Sequence, residues 1–269
     1  MPKTNARAKN LTGKPGKKPA KAPAARMTLK EVMTALEKAG SVQTRKTYAR
    51  HGAKEPMFGV SFGYLKTLVD RIKIDQELAE ALWDTGNYDA RNLAAKIADP
   101  ANMSPKVLDR WAATPMFTNW GGYVGQLAAE SPHRRARADK WLAAKDDATL
   151  AAGWAAVGAM AMIDESTEDA WFERRLAQIE KSIGSASNMH RSIMNRSLIT
   201  IGCRDTAFRK LAIGAAKRIG AVAVDHGDTE CKTPDAVEYI EKAWERAKAK
   251  GFASPAAQER ARESMRTRC

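Results

Sequence analysis

From Thr28 onward the sequence is a succession of amphipathic helical segments joined by short links, and that pattern constrains the fold more tightly than any other feature. Thr28-Leu29-Lys30-Glu31 is a capping box, and Leu29, Val32, Met33 and Leu36 then share one face until Gly40. Further helices are predicted over 41–51, 61–72, 75–85, 87–97 and 104–113, from 119 onward, and over 132–142, 147–163, 166–183, 187–201, 203–219, 233–250 and 254–267. Four starts read Ser/Thr-Pro, at Ser104-Pro105, Ser131-Pro132, Thr233-Pro234 and Ser254-Pro255. A cap oxygen followed by a preset φ suits the first helical position, where a missing amide hydrogen does no harm. No proline interrupts a periodic segment, and Val222-Ala223-Val224 is the one β-like stretch. The expected fold is all-α, a C-shaped HEAT-like helical-repeat solenoid with a period of roughly 40 residues. Such α–α superhelices carry an extended concave face suited to binding.

Composition limits what this stack can do. No apolar stretch approaches the roughly 18 residues of a membrane span, and Cys203, Cys231 and Cys269 are too scattered for a disulfide framework or a CxxC metal site. A reducing cytoplasm, a monomer and no cofactor are expected, and the basic N-terminus lacks the apolar stretch of a secretory signal. The net charge is +14, but residues 1–30 hold nine basic side chains and no acidic one, leaving +5 for the rest. Residues 1–26, rich in Lys, Pro, Ala and Gly, cannot bury enough surface to fold. They are predicted to be a disordered basic arm lying along phosphates, or else a solubilising extension. Residues 27–269 form the repeat domain.

The stretch 111–131 sits where one hairpin ends and the next begins. Trp111 closes a helix stopped by Thr114-Pro115, and Thr118-Asn119 precedes Trp120, Gly121 and Gly122. Two glycines in a first turn cost about 1 kcal/mol each relative to Ala. They suit either tight helix packing or the approach of a nucleic-acid backbone to an exposed indole. The other tryptophans considered, Trp83, Trp111, Trp154 and Trp171, lie on apolar helical faces and belong to the core. Basic residues cluster twice. His133-Arg134-Arg135-x-Arg137-x-x-Lys140 follows the central helix, and His190, Arg191 and Arg196 fall later. As functional groups they would hold phosphates; as structure they are solvated helix faces. Arg204, Arg209 and Lys210 read equally well as plain surface. The loop from Asp225 to Cys231 mixes possible metal ligands, but its spacing matches no zinc pattern, so a hydrogen-bonded connector is preferred and no metal is expected.

Several segments together resemble the AlkD-type alkylpurine DNA glycosylases, the HEAT-like DNA alkylation repair family. They are Gly59-Val60 with Leu65 and Leu68, Leu82-Trp83 followed by Tyr88-Asp89-Ala90-Arg91-Asn92-Leu93-Ala94, and the mid-chain Asn119-Trp120. Arg191-x-x-Met194-Asn195-x-x-Leu198-Ile199-x-Ile201-Gly202 and the stretch from Val224 to Ala236 extend the likeness over roughly residues 28–245. The resemblance implies a concave face holding double-stranded DNA and cofactor-free removal of N3- and N7-alkylated purines. A carboxylate would stabilise the oxocarbenium-like sugar, and tryptophan faces would hold the cationic lesion. Trp120 matches the family's aromatic and Val124 its valine, but the expected catalytic Asp falls at Gly125. Where the family has an Arg after a Trp–Leu pair, Trp154 is followed by Ala155, Ala156 and Val157. The resemblance thus implies a DNA-binding member of the family, Trp120 being the one catalytic side chain kept, with Arg134, Arg135, Arg137, Lys140, His190, Arg191 and Arg196 as DNA contacts. The alternative is a helical-repeat protein-interaction scaffold without DNA chemistry.

Overall fold

The structure, a computed structural model, describes residues 26–115 and 120–268, the side chains at 120 and 121 excepted. Of the predicted arm only Arg26 falls among the described residues, and its guanidinium pairs with Asp75 at 3.3 Å. Everything regular there is helical: α1 (Leu29–Ala39), α2 (Val42–Arg50), α3 (Phe62–Ile72), α4 (Gln76–Asp84), α5 (Tyr88–Ile97), α6 (Pro105–Ala112) and α7 (Trp120–Glu130). Then come α8 (Arg134–Leu142), α9 (Asp147–Ile163), α10 (Asp169–Ser182), α11 (Asn188–Gly202), α12 (Thr206–Ile219), α13 (Ala236–Ala249) and α14 (Pro255–Arg260). A single 3₁₀ turn, Ile183–Ser185, extends α10. The Val222–Val224 stretch is not a strand.

Local chemistry sets most boundaries. The capping box at Thr28 and Glu31 is made in both directions, and Ser104 and Ser254 cap α6 and α14 with proline at the first position. The other two Ser/Thr-Pro pairs behave differently. Ser131 turns back to bond the Ala128 carbonyl, so Pro132 sits in a turn and α8 starts at Arg134. Thr233-Pro234 stays in the connector, and Asp235 caps α13 instead. The helix expected over 254–267 stops at Arg260, because the chain then leaves the helical path to make the tertiary contacts described below.

Two layers result. Helices α7, α9 and α11 pack side by side in an inner row, with α5 beside α7 and α13 beside α11, while α6, α8, α10 and α12 back them. The back layer has a shorter period than the one expected. Asp-x-Trp recurs at Asp109/Trp111, Asp139/Trp141 and Asp169/Trp171, thirty residues apart. Two of these buried indoles reach one repeat back: Trp141 Nε1 donates to Asp109 and Trp171 Nε1 to Asp139, both at 2.8 Å. The same carboxylates collect cations, Arg137 and Lys140 on Asp109 and Arg135 and Arg175 on Asp139. A buried indole N–H needs an acceptor, so one residue pattern both fills the core and fixes the spacing of successive helices. At the N-terminal end Trp83 and Trp111 stack with ring centroids 4.0 Å apart. Arg204 departs from the surface role considered for it. It is 9 % exposed, donates to the Asp164 carbonyl at 2.6 Å and lies over the Phe172 ring.

Residues 261–268 form a strap along the C-terminal ends of the inner helices. Arg266 is buried and donates to the carbonyls of Ala95 and Lys96 at 2.8 and 2.6 Å, at the end of α5. Its Nε lies 3.2 Å from the Glu130 carboxylate at the end of α7, which also accepts from Ser264. Fully buried Lys96 reciprocates by donating to the Arg266 carbonyl at 2.9 Å. Cations at helix C-termini are favoured by the unpaired carbonyls there. Burial pulls the Arg266 guanidinium below its usual pKa, and Glu130 counters the shift.

Candidate functional site

The inner row opens into a cleft of about 340 Å³ between α7, α9, α11 and the strap. α7 contributes Gly122, Tyr123 and Gln126, α9 contributes Ala155, Gly158, Ala159 and Met162, and α11 contributes Ile193, Arg196, Ser197 and Thr200. Phe62 and the strap residues Met265, Arg266 and Arg268 complete the wall. No Asp or Glu is among these described lining residues. Their charge is all basic. Arg266 is neutralised by Glu130 and Arg268 by Glu259, whereas Arg196 is exposed and has no ion pair or hydrogen bond among the described residues.

Two glycines in α7 answer the packing question in opposite ways. A Cβ on Gly122 would meet nothing within 4 Å among the described residues. A Cβ on Gly125 would lie 2.6 Å from both the Ala155 Cβ and the Ala156 nitrogen. Gly125 therefore lets α7 and α9 touch backbone to backbone. The position where the family pattern calls for Asp faces the neighbouring helix, and a carboxylate there would be driven into the α9 backbone. The side chain of Trp120 lies outside the described residues.

Asp89 belongs to the fold. It is wholly buried, and its carboxylate accepts backbone N–H groups from Phe58, Gly59 and Val60 at 2.7, 3.0 and 2.9 Å. Three converging amides form a nest for the anion. Gly59 is required there twice over, with φ at +81° and a Cβ that would sit 2.5 Å from the Ser41 carbonyl. The Gly59-Val60 and Tyr88-Asp89 segments are thus two halves of one loop anchor. Burial pushes the Cys203 thiol up to about 12, so it stays protonated at neutral pH.

The predicted DNA contacts separate by layer. Arg135, Arg137 and Lys140 on α8 are tied into the back-layer carboxylate ladder, Arg135 also reaching Glu168 at 2.9 Å. Arg134 donates to the Ala129 carbonyl at 3.0 Å and faces Asp164 at 3.9 Å. His190 is buried with its ring nitrogen 3.1 Å from the Asp147 carbonyl. Arg191 bridges the Ala186 and Ala223 carbonyls at 3.0 and 2.9 Å. It thereby helps to fasten the 220–235 connector, which also exchanges two hydrogen bonds between Asn188 and Asp225. Arg196 alone of the seven lines the cleft. The strap residues were not anticipated. The partners of Ser264 and Arg266 are 134 to 171 residues away in sequence, and no local pattern marks them.

Paired helices in two layers, with a cation-lined cleft in the inner row, make this a HEAT-like helical-repeat protein. The sequence matches the model of the DNA alkylation repair enzyme family over residues 32–240, and the chain belongs to that family. Among curated relatives, an uncharacterized protein of Listeria innocua is 30% identical over 224 residues, covering 81% of this chain and 97% of its own. Another from Listeria monocytogenes is 28% identical over 229 residues, covering 82% of this chain and 100% of its own. A solved structure described as "a new family of proteins related to the HEAT-like repeat DNA glycosylases with affinity for branched DNA structures" superposes with a TM-score of 0.75 at 33% identity. It covers 84% of this chain and 97% of the other.

Proposed function

We propose that this protein binds branched DNA on the face of its inner helices and does not excise alkylated bases. The observation that carries this reading is the cleft wall, where the described residues supply cations and aromatic surface but no carboxylate. A glycosylase of this kind needs a negative group aimed at the charge that grows on the sugar, and loss of one well-placed electrostatic group commonly costs about 10²–10³ in rate. Gly125 faces α9 and Asp89 is enclosed by three amides, so neither position offers that group. The affinity for branched structures described for a 33%-identical fold relative supports the choice of ligand. Arg196 supplies the phosphate contact on the domain itself, and the N-terminal basic residues supplement it without reading sequence.

Binding of a four-way junction and of a linear duplex of equal length, measured by fluorescence anisotropy, tests the proposal. The junction should bind more tightly, and Arg196→Ala should weaken binding and reduce the slope of log affinity against log salt by about one. Equal affinity for both DNAs would refute the branched-DNA reading. Single-turnover incubation with N7-methylguanine duplex should release no base above the spontaneous rate; release well above it would refute the non-catalytic reading.

A further inference from the structure

We infer that the cleft between α7, α9, α11 and the C-terminal strap is a pocket for one unpaired nucleobase displaced where DNA strands branch. This assignment rests on the branched-DNA reading and names the feature of the junction that the site would take.

Size limits the occupant first. At about 340 Å³ the cleft falls within the usual range for small-ligand sites. A single flat heterocycle is an occupant of that scale. Its walls suit such a ring. Tyr123 supplies aromatic surface, and Met162 and Met265 supply polarisable thioethers from opposite sides, one on α9 and one on the strap. Stacking of bases on aromatic side chains is tolerant of sequence, as a junction binder requires.

The polar groups match the occupant's edges. Gln126 spends its amide N–H on Glu130 at 2.9 Å, leaving its carbonyl oxygen as an acceptor. Thr200 donates its hydroxyl proton to the Ser197 carbonyl at 3.0 Å and likewise keeps acceptor capacity. Two acceptors in the wall suit the amino group of a base. Arg196, the exposed cation without a protein partner, stands at the same wall for the attached phosphate. Gly122 lines the same cleft, and a Cβ there would meet nothing within 4 Å among the described residues.

The test uses the full-length protein and two four-way junctions that differ by a single unpaired 2-aminopurine at the branch point. The junction with the extra base should bind about ten-fold more tightly, and its 2-aminopurine emission should change on binding as the base stacks in the cleft. Gly122→Leu should abolish the difference in affinity and the change in emission while unfolding at nearly the wild-type temperature. Equal affinity for the two junctions with unchanged emission would overturn the pocket and leave the branched-DNA reading standing. Failure to bind either junction would overturn that reading and the pocket with it. The emission measurement needs no variant, so the outcome does not depend on how Gly122→Leu folds.

Discussion

At the scale of single residues, glycine decides more here than any charged group. Gly125 and Gly122 lie less than one turn apart on α7, yet one is closed against α9 and a Cβ on the other would meet nothing within 4 Å among the described residues. At Gly125, where the resemblance would put a carboxylate, the absence of a side chain brings two inner helices together. Gly125→Asp is therefore not a restoration of activity. It would overpack the interface and bury a charge, so the variant should unfold at least about 2 kcal/mol more easily in denaturant melts and gain no base-excision activity. A stable Gly125→Asp protein that released N7-methylguanine would contradict the placement of this residue.

Between elements, two devices hold the stack, one on each layer. On the back, Asp109 links α6 to α8 by accepting from Arg137, Lys140 and Trp141. Burial raises the Asp109 pKa, but the hydrogen bonds from Lys140 and Trp141 and the charge of Arg137 outweigh it and leave the carboxyl below its ordinary value. A folded-state pKa depressed below the unfolded one stabilises the protein fully above the unfolded value, near 4, and loses that contribution as pH falls through the folded value. Asp109→Asn should consequently lower the melting temperature at pH 7, and its gap from wild type should shrink progressively below about pH 4. A gap that stays constant from pH 7 to pH 3 would show that the charge of Asp109 contributes nothing. On the other layer, the strap neutralises the buried helix ends. Arg266→Met removes the donor to two carbonyls and leaves Glu130 without its cation. Breaking one side of a buried pair costs about 3–5 kcal/mol, so this variant should show a clear loss in urea midpoint. An unchanged midpoint would mean that the strap is not held by Arg266.

For the whole molecule, charge is unevenly spread along the chain. Nine basic residues and no acidic one precede residue 31, whereas Arg135, Arg137, Arg191, Arg204 and Arg266 are already paired with carboxylates or carbonyls. Deletion of residues 1–25 should weaken binding to linear and branched DNA by the same factor and flatten the salt dependence, because lysines that contact phosphates release counterions from any duplex alike. The preference for a junction should survive in the truncated protein. If the preference disappears with the arm while the domain stays folded, branch recognition does not reside on the inner helices.

Much of this architecture was legible in the chain itself. Apolar spacing, caps such as Thr28, Ser104 and Ser254, and the absence of interior prolines determine fourteen helices among the described residues and their all-α stacking, because helix formation depends on neighbours three and four residues apart. The Asp-x-Trp repeat is equally present in the sequence, but only the packing shows that Trp141 and Trp171 each reach the Asp of the preceding repeat. What the sequence could not decide was which basic residues face the cleft. Arg135, Arg137 and Arg196 look alike as side chains on amphipathic helices, and only the packing of helices shows that the first two meet Asp139 and Asp109 while the third meets solvent. The strap is the extreme case. Arg266 and Lys96 lie 170 positions apart, and their pairing depends on where the stack's last turn brings the chain back against the ends of α5 and α7. Contacts within a helix turn are encoded locally; those between distant elements are decided by the path of the folded chain.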